Sequence, residues 1–239
     1  MGNASSSRIA SRSRTSWPAL TMLASPPVSR AFVIGVTGNI ACGKTTVMNE
    51  LRRLGASSID ADRVYHQLIE PESVLWKTLV DHFGEAIVDD NGQIDRRALG
   101  GIVFGDSGKL AELERLTHPA IRAELRRLMS RHGSGVVAVD AVKLIEGGMQ
   151  QDCSSVWLVT CRADQQVSRL IARNGLSVED AEQRVAAQSP TGPKLDIADV
   201  HIDNSGEIEH TLHQVRLAWE VLGLDQIERH AGGSDPVSH

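Results

Sequence analysis

Lys44 and Thr45 close the stretch Gly38-Asn39-Ile40-Ala41-Cys42-Gly43-Lys44-Thr45, which fits G-x-x-x-x-G-K-[ST] at every fixed position. Gly38 lets the chain leave a strand in a conformation that side chains obstruct, and Gly43 lets the loop pass close to a phosphate. The amides from Ala41 and Cys42 to Lys44, Thr45 and Thr46 can then converge on the phosphates, aided by the positive end of a helix starting near Lys44. Lys44 can reach the β- and γ-phosphates as a flexible point charge. Thr45 offers a hydroxyl to Mg²⁺. This is the chemistry of a site for ATP with Mg²⁺.

Three carboxylates and a set of basic residues extend that chemistry. Asp60 and Asp62 end a short run, Ala56–Asp62, and the C-terminal ends of parallel strands line the ligand crevice of an α/β sheet. A carboxylate there can orient an acceptor hydroxyl and take its proton. Of the two, Asp62 reads as the base and Asp60 as a capping or supporting residue for a helix beginning near Arg63. Asp140 ends the apolar run from Gly135, the form of a strand whose acid supports Mg²⁺. Arg169 and Arg173 can neutralise a phosphoryl group in transfer, whereas Arg162 and Arg184 fit a solvated charged face. Thr117-His118-Pro119 reads as a sharp new helix start, with His118 and Arg122 at its entrance. For His118 a helix-capping or core role stays equally open.

The elements that position these groups follow from periodicity. Phe32–Val36 is a buried strand, and Val47, Leu51 and Leu54 mark an amphipathic helix closing at Gly55. Residues 63–131 are mostly helical: Val74, Leu75, Leu79, Val80 and Phe83 mark one helix, and Asp89-Asp90-Asn91-Gly92 a turn. Asp95 can cap a helix from Arg96 to Ile102, and leucines at 110, 113 and 116, then Ile121, Leu125 and Leu128, keep the helical period. So long a helical stretch between strands suits an acceptor-binding insertion over the active edge. Gly135–Asp140 and Ser155–Thr160 are further strands, with Glu146 on or near a helix between them. Two helices within residues 164–190, split at Asn174-Gly175-Leu176-Ser177, suit a lid that excludes water before transfer. Ala198–Gly206 is a last strand and loop, where Asn204 can touch the adenine. A final helix from Glu207 to about Leu222 buries Leu212, Val215, Trp219, Val221 and Leu222. The expected fold is α/β: a parallel sheet with helices on both faces.

Composition sets bounds. The 239 residues, 41% hydrophobic and 23% charged, suit one sizeable core with an inserted subdomain. A net charge of −5 argues against broad nucleic-acid binding, and no apolar run approaches the roughly 20 residues that span a bilayer. Cys42, Cys153 and Cys161 show no metal spacing and suggest a reducing compartment. Cys42 reads either as an inert small residue or as an oxidisable thiolate at a helix N-terminus. Residues 1–30 carry eight serines, four arginines and no acid, a disordered extension by composition. An organelle transit peptide, a myristoylation signal at Gly2, and an extension ahead of a start at Met22 are alternative readings. Residues 226–239 read as a loose polar tail.

Taken together, the blocks GNIACGKT, Ile59-Asp60-Ala61-Asp62, HFGEAIVDDNGQIDRRALGGIVF, Thr117-His118-Pro119 with Arg122, the strand ending at Asp140, RLIARNGLS with AEQRVAAQ, and ADVHIDNSG resemble the dephospho-CoA kinase family. The likeness runs from about Val33 to Leu222. It implies a kinase domain over about 31–225, with a sheet core, a helical CoA-binding part and a lid. It implies MgATP-dependent phosphorylation of the ribose 3′-hydroxyl of dephospho-CoA, the last step of coenzyme A synthesis. The core by itself suggests a cytoplasmic protein, and a monomer is the favoured state. Asp62 would be the base, Lys44 and the loop would hold ATP, Arg169 and Arg173 would be lid contacts, and His118 and Arg122 would face the acceptor. The family loop usually has glycines at Asn39 and Ala41 and a serine at Cys42. After Asp140 the family usually reads a small residue, proline, two leucines and an acid; here Ala141-Val142-Lys143-Leu144-Ile145-Glu146 stands instead. Lys143 would bring a new cation to the acceptor phosphates. Two other readings are a kinase of a nucleoside-like acceptor and a nucleotide-binding module without turnover. The insertion, the Thr117-His118-Pro119 block and the Asp203-Asn204-Ser205-Gly206 block speak against the first. A retained base speaks against the second.

Overall fold

A computed structural model of the chain describes residues 31–231; the readings made for residues 1–30 and 232–239 lie outside these. Five strands form one parallel sheet: β1 (Phe32–Thr37), β2 (Ser57–Asp60), β3 (Val136–Asp140), β4 (Ser155–Thr160) and β5 (Val200–Asp203), in the order β2-β3-β1-β4-β5. β1, β3 and β4 are continuous apolar runs because both faces of the central sheet are covered. In β1 successive side chains part to opposite faces. Ile34 and Val36 join Val47, Leu51, Trp157 and Trp219 in one core, and Val33 joins Leu125, Val137, Val139 and Leu144 in the other. The register pairs Val36 with Asp140 and Asp60 with Asp140, so the ends of β1, β2 and β3 lie side by side.

The phosphate loop leads from β1 into α1 (Lys44–Arg53). β2 is followed at once by α2 (Ala61–Leu68), two residues earlier than expected, because Asp60 accepts from the amides of Asp62 and Arg63 and caps it. Asp60 is thereby the supporting carboxylate, and Asp62 lies in the first helical turn. α3 (Val74–Phe83) and α4 (Arg96–Val103) follow, capped by Ser73 and Asp95. With α5 (Ser107–Met129) they enclose a third core around Leu75, Leu79, Ile87 and Leu99. Val74 is not part of it: it starts α3 facing solvent.

The expected break at Thr117-His118-Pro119 is absent. α5 runs unbroken with Pro119 inside it. A proline in a helix interior costs about 3 kcal/mol. Burial of Thr117 and Leu125, and packing of Leu113 and Leu116 in the third core, outweigh that cost; Thr117 also donates its hydroxyl to the Leu113 carbonyl at 2.8 Å. His118 and Arg122 therefore project from mid-helix, not from a helix entrance.

After β3, residues 141–148 form successive turns, so Glu146 is not helical. α6 (Ala163–Asn174) and α7 (Val178–Ala186) are split at left-handed Gly175, and Ser177 caps α7 by accepting from Asp180. α8 (Thr191–Leu195) leads back to β5. In α9 (Ile208–Val221) the buried positions are Thr211, Val215 and Trp219, while Val221 faces solvent, one step off the core stripe. The expected loose tail instead begins as α10 (Leu224–Ala231): Leu224 is fully buried and Asp225 accepts from the Trp219 indole at 2.8 Å. Among the described residues no helix is long and apolar enough to cross a membrane.

Glu50 ties α1 to α9. Its buried carboxylate accepts from Arg53 at 2.7 and 2.8 Å and from Arg216 at 2.6 Å. The Arg53 bond, with Arg216, overcomes burial and lowers its pKa from 4.5 to about 2. A depressed folded-state pKa adds stability above the unfolded value that is lost as pH falls through the folded one. Glu50→Gln is expected to lose about 2 kcal/mol at neutral pH. In denaturant titrations the gap from wild type should shrink as pH falls from 4.5 toward 2; a gap independent of pH would refute this.

Candidate active site

The phosphate loop is shaped by what surrounds it. A Cβ at Gly38 would lie 2.3 Å from the Val159 carbonyl oxygen, so the loop can leave β1 only at a glycine. At Gly43, φ is 96° and the Cβ position is filled by Asn204, whose amide nitrogen would lie 1.9 Å away. Gly43 thus makes room for a protein side chain as well as for a ligand. Asn204 is buried; its amide donates to the Cys42 carbonyl at 2.9 Å and its carbonyl accepts from Thr211 at 2.8 Å. The Asn204 side chain thereby braces the phosphate loop from within. Ala41 sits at φ 57°, a left-handed conformation that costs a non-glycine residue about 1 kcal/mol.

Arg169 reaches from α6 across the loop, donating to the carbonyls of Ala41 and Asn204, both at 3.1 Å. With Arg173, Lys44, Thr45 and Gly43 it lines a cleft of about 440 Å³. Arg173 bonds only its neighbour Asn174 among side chains, and Arg162 pairs with exposed Asp164, as a solvated residue would. Cys42 is almost fully buried, and that burial pushes its thiol up to about 11 against the pull of Lys44. The reactive-thiolate reading is thereby overturned: the helix N-terminus does not offset the loss of solvent. No disulfide joins the three cysteines.

A second cavity of about 560 Å³ opens on the other side of the sheet edge. Asp62, His118, Arg122 and Lys143 all line it, together with Arg96, Arg97 and an apolar wall that includes Val103, Phe104 and Leu113. Burial pushes His118 below the ordinary imidazole range; Glu114 opposes this, while Lys143 and Arg122 reinforce it, so the neutral ring is favoured. Lys143 donates to Glu114 at 2.7 Å, and Arg122 to Asp152 at 3.3 Å. Arg96 and Arg97 follow the Asp95 cap in the sequence, but nothing there places them in one cavity with Asp62.

Asp140 stands beside Lys44 of the nucleotide cleft and next in sequence to Ala141, which lines the second cavity. Its carboxylate lies 3.7 Å from Lys44 Nζ. Burial raises its pKa; Lys44 opposes, and the charges of Asp60 and Asp62 add to the rise. Thr45, Asp140 and the adjacent carboxylates offer only hard oxygen donors in a negative field. That set suits Mg²⁺, which keeps most of its water and takes few protein ligands besides phosphate oxygens. Among the described residues no group of three or more His, Cys, Asp or Glu forms a closed metal cage.

A parallel sheet of this order, with a phosphate loop after its central strand and a second cavity across the loop's lip, defines a P-loop kinase. A family model described as dephospho-CoA kinase matches residues 32–210. The dephospho-CoA kinase of Symbiobacterium thermophilum is 44% identical over 206 residues, which cover 84% of this chain and 86% of that one. The crystal structure of TT1252 from Thermus thermophilus aligns with a TM-score of 0.70 at 33% identity, covering 82% of this chain and 98% of that one. The dephospho-CoA kinase from Campylobacter jejuni gives 0.59 at 26% identity, covering 80% and 97%. The chain belongs to the dephospho-CoA kinase family.

Removing the brace should loosen the loop. Asn204→Ala leaves the Cys42 carbonyl and the Thr211 hydroxyl without their partner and is expected to cost about 1–3 kcal/mol in unfolding free energy. Cys42 should become reactive toward a thiol reagent under native conditions, whereas in the wild type it should react only after unfolding. Equal native-state labelling of the two proteins would contradict the brace.

Proposed function

We propose that the chain transfers the γ-phosphoryl group of ATP to the ribose 3′-hydroxyl of dephospho-CoA, yielding coenzyme A and ADP. The observation that carries this reading is the position of Asp62, in the wall of the 560 Å³ cavity and within electrostatic reach of Asp140, which itself faces Lys44 of the phosphate loop. Asp62 is exposed on the first turn of α2, so its carboxylate is free to accept a proton. There it takes the 3′-hydroxyl proton as the oxygen attacks the γ-phosphorus and the bond to the β,γ-bridging oxygen breaks. Lys44 and the loop amides hold the β- and γ-phosphates. Arg169 and Arg173 stand across the cleft, where they neutralise the oxygens of the group in transfer. Thr45 and Asp140 would hold Mg²⁺, which would offset the charge of the phosphate oxygens.

On the acceptor side, the apolar wall at Val103, Phe104 and Leu113 suits the pantetheine arm, and the basic rim suits the pyrophosphate. Helices α2 to α5 act as the CoA-binding part and α6–α7 as the lid, within a functional unit of about 31–225. Neutral His118 serves as a hydrogen-bonding group for the acceptor. Lys143 adds a cation to the rim while pairing with Glu114.

ADP release measured with MgATP, with and without dephospho-CoA, tests this directly. Release should depend on dephospho-CoA, and Asp62→Asn should lower kcat by roughly 10²- to 10⁴-fold, the usual contribution of a general base. ATP turnover indifferent to dephospho-CoA would reject the assignment. Lys143→Met should raise the KM for dephospho-CoA about fivefold, equivalent to ~1 kcal/mol for an exposed charge, and leave that for ATP unchanged. Equal effects on both would remove Lys143 from the acceptor site.

A further inference from the structure

Lys194 is the one buried cation among the described residues, at 6% exposure. It stands on α8, outside both cavities. Its Nζ donates to Asn39 Oδ1 at 3.1 Å and pairs with Glu146 Oε1 at 3.0 Å. These two partners belong to different walls of the active site. Asn39 lies in the phosphate loop and lines the nucleotide cleft. Glu146 lies in the turns after β3, whose Ala141, Val142, Lys143 and Gly147 line the acceptor cavity.

Neighbouring bonds tie the same parts together. Gln188, at the foot of α7, accepts from the Ile40 amide at 2.5 Å. Asn39 donates to Thr191 on α8 at 3.4 Å. Thr37, at the end of β1, donates to the Val142 carbonyl at 3.0 Å. A desolvated ammonium is tolerated only while its partners keep their geometry, since an unpaired buried charge costs several kcal/mol. Displacing either wall strips Lys194 of half its partners, so a ligand that fixes one wall also favours the fixed geometry of the other.

We infer that Lys194 is a positioning residue that couples nucleotide binding to acceptor binding, through Asn39 on one side and Glu146 on the other. This rests on the assignment of the two cavities to ATP and dephospho-CoA. The coupling is reciprocal: each ligand tightens the other by the same factor.

Calorimetric titration with a non-hydrolysable ATP analogue, alone and with saturating dephospho-CoA, gives that factor as a ratio of Kd values. The wild type is expected to show a factor within the usual range of roughly 5 to 150. Lys194→Met, similar in length and uncharged, should bring the ratio to about one, meaning no coupling energy remains. Glu146→Gln should lower it likewise, and the double variant should lower it no further. Thermal unfolding verifies that each variant is folded; if Lys194→Met is not, Glu146→Gln decides. A purely structural lysine would weaken both Kd values and leave their ratio intact, and that result overturns the inference. So does a wild-type ratio of one. Failure of the wild type to bind dephospho-CoA would reject the acceptor assignment, which the ADP-release assay reads separately, and the coupling with it.

Discussion

The amide of Asn204, seated where a side chain at position 43 would be, is the contact on which the active site depends. A phosphate loop must turn its backbone N–H groups outward, which leaves its carbonyls to be satisfied from behind. Asn204 takes the Cys42 carbonyl, and Arg169 takes that of Ala41. Asn204 is itself held by Thr211 of α9, and α9 is held to α1 through Glu50 and Arg216. The end of β5 and α9 thus form one support behind the loop, and Arg169 of α6 holds it from the cleft side. This arrangement explains why a loop with alanine at a left-handed position still keeps its shape: the strain at Ala41 is small beside the hydrogen bonds that fix its neighbours.

In front of the loop the constraint is electrostatic. The register that sets Asp60 beside Asp140 puts two acids at adjacent strand ends, with Asp62 two residues on, in the first turn of α2. Capping commits Asp60 to backbone amides. Asp140 is partly answered by Lys44. Asp62 is exposed and lines the larger cavity. Three acids so close together thus have separate tasks, and their combined field favours a cation between the two clefts.

Much of this was legible in sequence because the determining interactions are local. The phosphate loop, the strand ends at Asp140 and Thr160, the Asp95 and Ser177 caps and the split at Gly175 all follow from residues within one turn of each other. Asp60 as cap and Asp62 as free acid followed from their two-residue offset. Features decided by distant packing were not legible. The proline in α5 reads as a break, and only burial in the core of α2 to α5 shows why it is not one. Val74 and Val221 read as core by residue type, yet each lies at a helix end that nothing covers. Residues 226–239 read as a loose polar tail, and the helix that covers the first of them, α10, is anchored through Asp225 to Trp219 on the preceding helix. Cys42 at a helix N-terminus suggests a thiolate until its burial is known. The Asn39–Lys194 bond joins residues 155 positions apart, and no spacing rule anticipates it.

The central claim is that the two cavities are the donor and acceptor sites of one in-line transfer across Asp140. A crystal structure with a non-hydrolysable ATP analogue, Mg²⁺ and dephospho-CoA bound together tests it most directly. The ribose 3′-hydroxyl is expected within hydrogen-bond reach of Asp62, facing a γ-phosphate held by Lys44. A dephospho-CoA bound with its ribose turned away from Asp62, or bound outside the cavity of α2 to α5, would contradict the account.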